Sequence, residues 1–408
     1  MQKRGERMNG LNEYLDWRGD LSMLTVLPNE IDLLIFSQLV YAPLERISTL
    51  HGETLTELTS IIYPKPITKE NRLLPFQRYE LWQQVCKCER FSQVKLTRFA
   101  AQFDSVKQKQ FAAACFTVGN ISIIAYRGTD ATLTGWKEDF NLAFEDAIPA
   151  QLEAIDFLNH SEANARYLYL CGHSKGGNLA MYAASRCCPE ILNRILNISN
   201  FDGPGLSEAA VKNSHWNEIQ HLVHTYVPES SVIGMLFNTQ NQPQLVVSDS
   251  ISILQHNPFN WHILGSHFVE AQSTTLSSRI IDDTLDFFFN HCTPEQRRVL
   301  IDTLYDILNV SKAKYLRDIP TGIIRNIPEL RNVIRSCSPE TRKELANIAQ
   351  IGAEAIGDSF FKKRLIAAIT SIFQGIADSL PAVENPGEQS DSNSSEGFAC
   401  SEDNNTDI

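Results

Sequence analysis

No stretch of this 408-residue chain is apolar for long enough to cross a bilayer. The longest run, Ile31 to Tyr41, is broken by Ser37 and Gln38, where a spanning helix needs about 20 apolar residues. The N-terminal segment MQKRGERMNGLNEYLDWRGDLSM lacks the apolar core that a secretory signal carries. The cytoplasm is therefore the expected compartment. Positive charge is also short: 36 Lys and Arg stand against 48 Asp and Glu, a net charge of −12. That excludes the extended basic surface a nucleic-acid partner requires, and it disfavours tight docking on anionic membrane. The nine cysteines follow no regular spacing. Cys86-x-Cys88 and Cys187-Cys188 have no second Cys/His pair at zinc-site distance, so they read as plain thiols in a reducing compartment. No metal and no cofactor are expected. Internal repeats are absent, and Arg18-Gly19-Asp20 reads as a chance match to an adhesion tripeptide.

What is present is a globular composition, 43% hydrophobic and 21% charged, enough to bury a sizeable core. From Leu11 to about Leu96 the pattern is mainly helical. Ile31, Leu34, Ile35 and Leu39 recur at helical spacing after Pro28-Asn29, and Leu73 to Cys88 reads as a helix interrupted near Pro75. Residues 1–95 are thus expected to form a helical cover packed on the core. Between Gln110 and Asp130 two β-rich runs, Phe111 to Thr117 and Ile121 to Tyr126, flank Gly119-Asn120 as a hairpin. Helices and strands then alternate: a helix over Ala150 to Asn159, a strand over Tyr167 to Cys171, a helix over Gly177 to Arg186, and strands over Ile195 to Phe201, Leu222 to Val227 and Leu245 to Val247. Alternation of this kind means an α/β fold with a mostly parallel sheet flanked by helices, here placed at 96–270. Residues 271–385 read as a helical region and 386–408 as a disordered acidic tail.

The chemistry-bearing string is YLYLCGHSKGGNLAMYAAS. An apolar run ends at Gly172, Ser174 follows, and a helix-forming run starts at once, as in a strand–turn–helix nucleophile elbow. Small residues two before and two after the nucleophile, Gly172 and Gly176, suit a turn where strand and helix backbones nearly touch. A serine hydroxyl is a weak nucleophile and needs a base within hydrogen-bond reach. At the helix N-terminus the backbone N–H of Lys175 can face a developing oxyanion.

In the order nucleophile, acid, histidine, the base lies downstream of Ser174. Of His215, His221, His224, His256, His262 and His267, His256 is favoured, because Asn257 and Pro258 put it on a turn after the last expected strand. The alternative for His256 is a structural histidine packed beside Trp261. His221 and His224 fall in or beside a strand and read as half-buried structural residues, and His173 as a local packing residue. Asp202, ending the strand Ile195 to Phe201, is the favoured acid, with Glu229 after the next strand as the alternative. The loop Arg127-Gly128-Thr129-Asp130 should supply the first oxyanion donor, through Thr129.

Together AYRGTD at 125–130, GHSKGGNLA at 172–180 and NFDGPG at 200–205 resemble the class 3 (fungal-type) lipases. NEYLDWRGDLSM at 12–23, AYRGTD and QHNPFNW at 255–261 look more specifically like a lipase-like bacterial family of unknown function. The resemblance, spanning about residues 10 to 265, implies an α/β-hydrolase fold with Ser174 as nucleophile, His256 as base, Thr129 at the oxyanion site and no cofactor. Two departures stand out. Class 3 lipases usually carry leucine after the nucleophile where this chain has Lys175, a cation beside the active serine. They also carry aspartate where this chain has Glu229-Ser230-Ser231.

The leading expectation is a carboxylic-ester hydrolase acting on a small-molecule or lipid acyl substrate. A peptidase, amidase or thioesterase on the same scaffold is the second reading. The third is an inactive hydrolase-fold protein that binds a protein partner through its C-terminal helices.

Overall fold

The structure, a computed structural model, describes residues 10–272 except 69–72, 105–108, 130–146, 161–164, 213, 230, 232–233, 235–241 and 251, together with a few residues between 332 and 342. The expected helical region at 271–385 lies almost wholly outside the described residues, and the acidic tail wholly so.

Eight strands form one sheet in chain order: β1 (Glu53–Thr54), β2 (Lys95–Asp104), β3 (Lys109–Val118), β4 (Ile121–Tyr126), β5 (Tyr167–His173), β6 (Ile195–Phe201), β7 (Val223–Pro228) and β8 (Gln244–Val246). β1 to β4 pair antiparallel and β4 to β8 parallel. The β3–β4 hairpin turns at Gly119-Asn120, with Val118 paired to Ile121 and Gly119 at φ +56°. That is the left-handed backbone a two-residue hairpin turn requires. β9 (Ile263–Leu264) and β10 (His267–Phe268) make a separate small hairpin.

Four longer helices precede β2 or border β1: α1 (Leu11–Arg18), α2 (Glu30–Leu39), α3 (Leu55–Ile62) and α4 (Leu73–Val85). Two more, α5 (Pro149–Asn159) and α6 (Lys175–Ala184), lie on the β4-to-β5 and β5-to-β6 crossovers. Parallel strands laid down in strict chain order, each joined by a right-handed crossover, put their connecting helices on one face. The other face needs a separate cover, because a parallel sheet is buried on both sides. The core divides accordingly. Phe111, Ala113, Cys115, Ile124, Tyr126, Leu168 and Leu170 pack with α5 and α6. Their neighbours in the alternation, Ala114, Phe116, Ile123, Ala125, Tyr169 and Cys171, pack with α1 to α4.

α2 is the centre of that cover. Its residues Ile31 to Leu39 are all buried, as expected of a helix that is apolar nearly all round, and it packs against β4, β5 and β6 on one side and α1 and α4 on the other. Asn29 caps it, accepting from the backbone N–H groups of Ile31 and Asp32 at 2.9 and 3.1 Å. Asp32 answers by accepting from the Asn29 N–H at 2.9 Å, the reciprocal pair of a capping box.

Asp32 is also half of a fully buried ion pair with Arg90. The guanidinium Nε donates to Asp32 Oδ1 at 2.7 Å, and the Tyr14 hydroxyl donates to the same oxygen at 2.8 Å. The remaining Arg90 donors reach the carbonyls of Leu21, Val26 and Leu27. One network thus ties α1, α2, the loop between them and the turn leading into β2.

Two details differ from expectation. α4 runs through Pro75 without interruption, because proline in the first helical turn removes an N–H that has no intrahelical partner. β2 starts inside what reads as helical cover and fills a region expected to hold no strand. Of its ten residues only Leu96 is buried, so the period-two signal of a half-buried strand is missing.

Removing one partner from a desolvated pair leaves the other charge uncompensated. Asp32→Ala should therefore lower unfolding free energy by about 3–5 kcal/mol, read from the midpoint of a urea titration. A loss under about 1 kcal/mol, the range of an exposed pair, would contradict the role given to this network.

Candidate active site

β5 ends at His173, Ser174 turns the chain, and α6 begins at Lys175. Ser174 sits at φ 59°, ψ −135°, a conformation that costs strain in any residue with a side chain. Its N–H donates to the Phe201 carbonyl at 2.9 Å, and its carbonyl accepts from the Gly177 N–H at 2.9 Å. The close approach is literal. A Cβ on Gly172 would lie 2.1 Å from the Gly176 carbonyl carbon, and one on Gly176 would lie 2.2 Å from the Tyr126 carbonyl oxygen. Strand, helix and the end of β4 meet backbone to backbone, which leaves no room for a larger residue.

The loop after β4 lies against the serine. A Cβ on Gly128 would stand 3.2 Å from Ser174 Cβ and 2.6 Å from the Tyr41 hydroxyl. Arg127 is turned away, paired with Glu45 at 2.7 Å. Thr129 follows Gly128 and is half-buried. Asp130 lies outside the described residues.

Asp202 follows β6 and has φ 52°, with its N–H bonded to the Tyr226 carbonyl at 2.8 Å. Among the described residues it and Ser174 are the two non-glycine residues with positive φ, so the strained backbone of this region is gathered at one place. The Asp202 side chain is buried, and its Oδ2 lies 2.6 Å from His256 Nδ1. Its other oxygen accepts from the Ser231 hydroxyl, which in turn accepts from the Gly234 N–H at 2.9 Å. Glu229 is anchored at the β8 side, its N–H on the Val246 carbonyl. The fold brings Asp202, not Glu229, to His256.

His256 ends a short 3-10 turn, Ser252–His256, and the chain around it is tied on three sides. The Trp261 indole donates to the Gln255 carbonyl at 2.7 Å, Asn257 donates to Gln77 of α4 at 3.2 Å, and His173 Nε2 donates to the His256 carbonyl at 2.8 Å. The His256 ring lies on the His173 ring with centroids 4.5 Å apart; Trp261 is engaged with Phe268 instead. His173 is buried, and burial first, then the neighbouring His256 and Arg78, push its pKa well below the ordinary 6.5. It is neutral at pH 7.

The other residues singled out by sequence fall elsewhere. His215 pairs with Glu218 and His262 with Asp249, and His267 lies 3.5 Å from Glu30. His221 is exposed, not half-buried; His224, on β7, also has an exposed face, though partial burial still lowers its pKa below the ordinary value. Lys175 departs furthest from expectation. It is buried, and its Nζ reaches back to the Gln110 carbonyl at the start of β3, 3.0 Å away. Its stem takes an apolar place under the sheet, so it is not a cation facing Ser174. Ser231 was hidden in sequence: nothing marks a serine in a Ser-Ser pair as a carboxylate partner until β6 and β7 lie side by side.

The Mbeg1-like family model matches residues 85–306. No curated protein matches the sequence. Among solved structures the chain is similar to the crystal structure of M37 lipase, at 15% identity over 51% of this chain and 69% of that one, with a TM-score of 0.32. A likeness of that extent leaves the fold to be read from the strand order itself.

Ser231→Ala removes a donor from a buried carboxylate. It should cost about 1.5–3 kcal/mol of stability, measured by thermal or urea unfolding; an unchanged midpoint would mean that Ser231 does not hold Asp202.

Proposed function

The chain belongs to the Mbeg1-like family, and from that premise and the geometry around Ser174 we propose that it is a serine hydrolase acting on carboxylic esters of small-molecule or lipid acyl groups. The observation that carries this reading is the buried Asp202 carboxylate 2.6 Å from His256 Nδ1, beside a serine held at positive φ on a strand-to-helix turn.

In this reading Ser174 Oγ attacks the acyl carbonyl carbon while His256 Nε2 takes its proton. Asp202, bonded at Nδ1, keeps the imidazole in the tautomer whose free lone pair is on Nε2 and stabilises the imidazolium that forms. The carbonyl electron pair moves onto oxygen, where the backbone N–H of Lys175, at the α6 N-terminus, and Thr129 donate to it. Collapse expels the alcohol, protonated by His256, and leaves an acyl-serine. Water then repeats the cycle and releases the acid.

The burial of Lys175 supports an uncharged acyl group, since the cation next to Ser174 in sequence is buried with its Nζ on the Gln110 carbonyl. Ester, thioester and amide panels rank the leaving groups, which a triad does not choose by itself.

A fluorophosphonate probe should label the wild-type protein on Ser174 and leave Ser174→Ala unlabelled. Asp202→Asn should lower kcat on a p-nitrophenyl ester by about 10⁴-fold, while Glu229→Gln stays near wild type. Full labelling of Ser174→Ala, or a larger loss from Glu229→Gln than from Asp202→Asn, would overturn the assignment.

A further inference from the structure

His173 has no part in the chemistry just described, yet it engages His256 twice, through a hydrogen bond to its carbonyl and through its ring. Its Nε2 lies 2.8 Å from the His256 carbonyl, and a carbonyl oxygen only accepts, so Nε2 carries the hydrogen. Nδ1 is then the lone pair, and it is buried without a hydrogen-bond partner among the described residues. Adding a proton there would create a buried N–H with no acceptor among the described residues, and its charge would be opposed by Arg78 of α4 and by His256. Geometry and charge agree on a neutral ring with one hydrogen in one place.

We infer that His173 is a positioning residue for the proposed base, holding the His256 main chain through its Nε2–H and presenting an uncharged ring to the His256 imidazole. The inference rests on the serine hydrolase reading of the site and extends it. Two consequences follow from the arrangement. His173 sits on the rigid end of β5, one residue from the nucleophile, whereas His256 sits on a 3-10 turn after the last parallel strand. The 2.8 Å bond therefore links base to nucleophile through the sheet and sets their separation. Secondly, His256 becomes an imidazolium during each turnover. With ring centroids 4.5 Å apart, a charged His173 would repel that ion, whereas a neutral one offers it a π face.

Two variants separate the donor from the ring. His173→Gln keeps an N–H near the Nε2 position without the ring; His173→Phe keeps an aromatic ring without the donor. With p-nitrophenyl butyrate, His173→Phe should lose about 100-fold in kcat, the scale of a 1 Å misplacement, with KM near the wild-type value. His173→Gln should recover most of that loss. Wild-type kcat in His173→Phe, or equal losses in both variants, would overturn the inference. A measurement on the wild-type protein stands independently of how the variants fold. Heteronuclear NMR of histidine-labelled protein should show His173 as the neutral Nε2–H tautomer from about pH 8 down to 6, and an Nδ1–H tautomer, or protonation within that interval, would overturn it. Wild-type protein that a fluorophosphonate does not label would sink the hydrolase reading and this inference with it. A labelled wild type with an indifferent His173→Phe sinks the inference alone.

Discussion

Everything at the site depends on a contact between backbones. α6 approaches β5 at Gly172 and the end of β4 at Gly176 so closely that a Cβ on either glycine would fall about 2 Å from main-chain atoms, and Ser174 turns between β5 and α6 at φ 59°. Strain of this kind persists only where the surroundings over-determine it. Here they do: the Ser174 N–H is bonded to the end of β6 and its carbonyl to the first turn of α6. β6 then delivers Asp202, also at positive φ, and Asp202 takes hold of His256. The Ser174 turn, the Asp202 carboxylate and His256 are brought together by consecutive strand ends of one sheet.

The N-terminal helices follow from the same sheet by a different route. Strands in chain order send their crossover helices to one face, and the opposite face of β4 and β5 would be bare without α2. α2 is anchored by an ion pair that is wholly desolvated, and removing either partner of such a pair leaves a buried charge uncompensated. The cover also reaches the candidate site. Tyr41, just beyond α2, lies against Gly128, and Gln77 of α4 holds the residue after His256.

Much of this was legible in the residues. The hairpin at Gly119-Asn120, the α/β alternation and the elbow at Ser174 were readable because each is local: a turn residue, a periodicity, a glycine spacing. The choice between Asp202 and Glu229 was not, because it depends on which strand end faces a loop 54 residues further on. β2 escaped notice because an edge-side strand with a single buried residue has no alternation to read. Lys175 misled for a related reason. A charge beside Ser174 in sequence need not face it in space, since the first residue of a helix can direct its side chain elsewhere, here to the Gln110 carbonyl. Ser231 and His173 are supporting residues, and the groups they support are far away along the chain.

In the proposed reaction Ser174, His256 and the α6 N-terminus act on one carbonyl carbon. A crystal structure of the protein after reaction with an alkyl fluorophosphonate tests this most directly, since the phosphonate imitates the tetrahedral intermediate. The expected adduct has phosphorus bonded to Ser174 Oγ, its non-bridging oxygen accepting from the backbone N–H of Lys175 and from Thr129, and His256 Nε2 within hydrogen-bond reach of Oγ. An adduct on another residue, or a phosphonyl oxygen directed away from both donors, would contradict it.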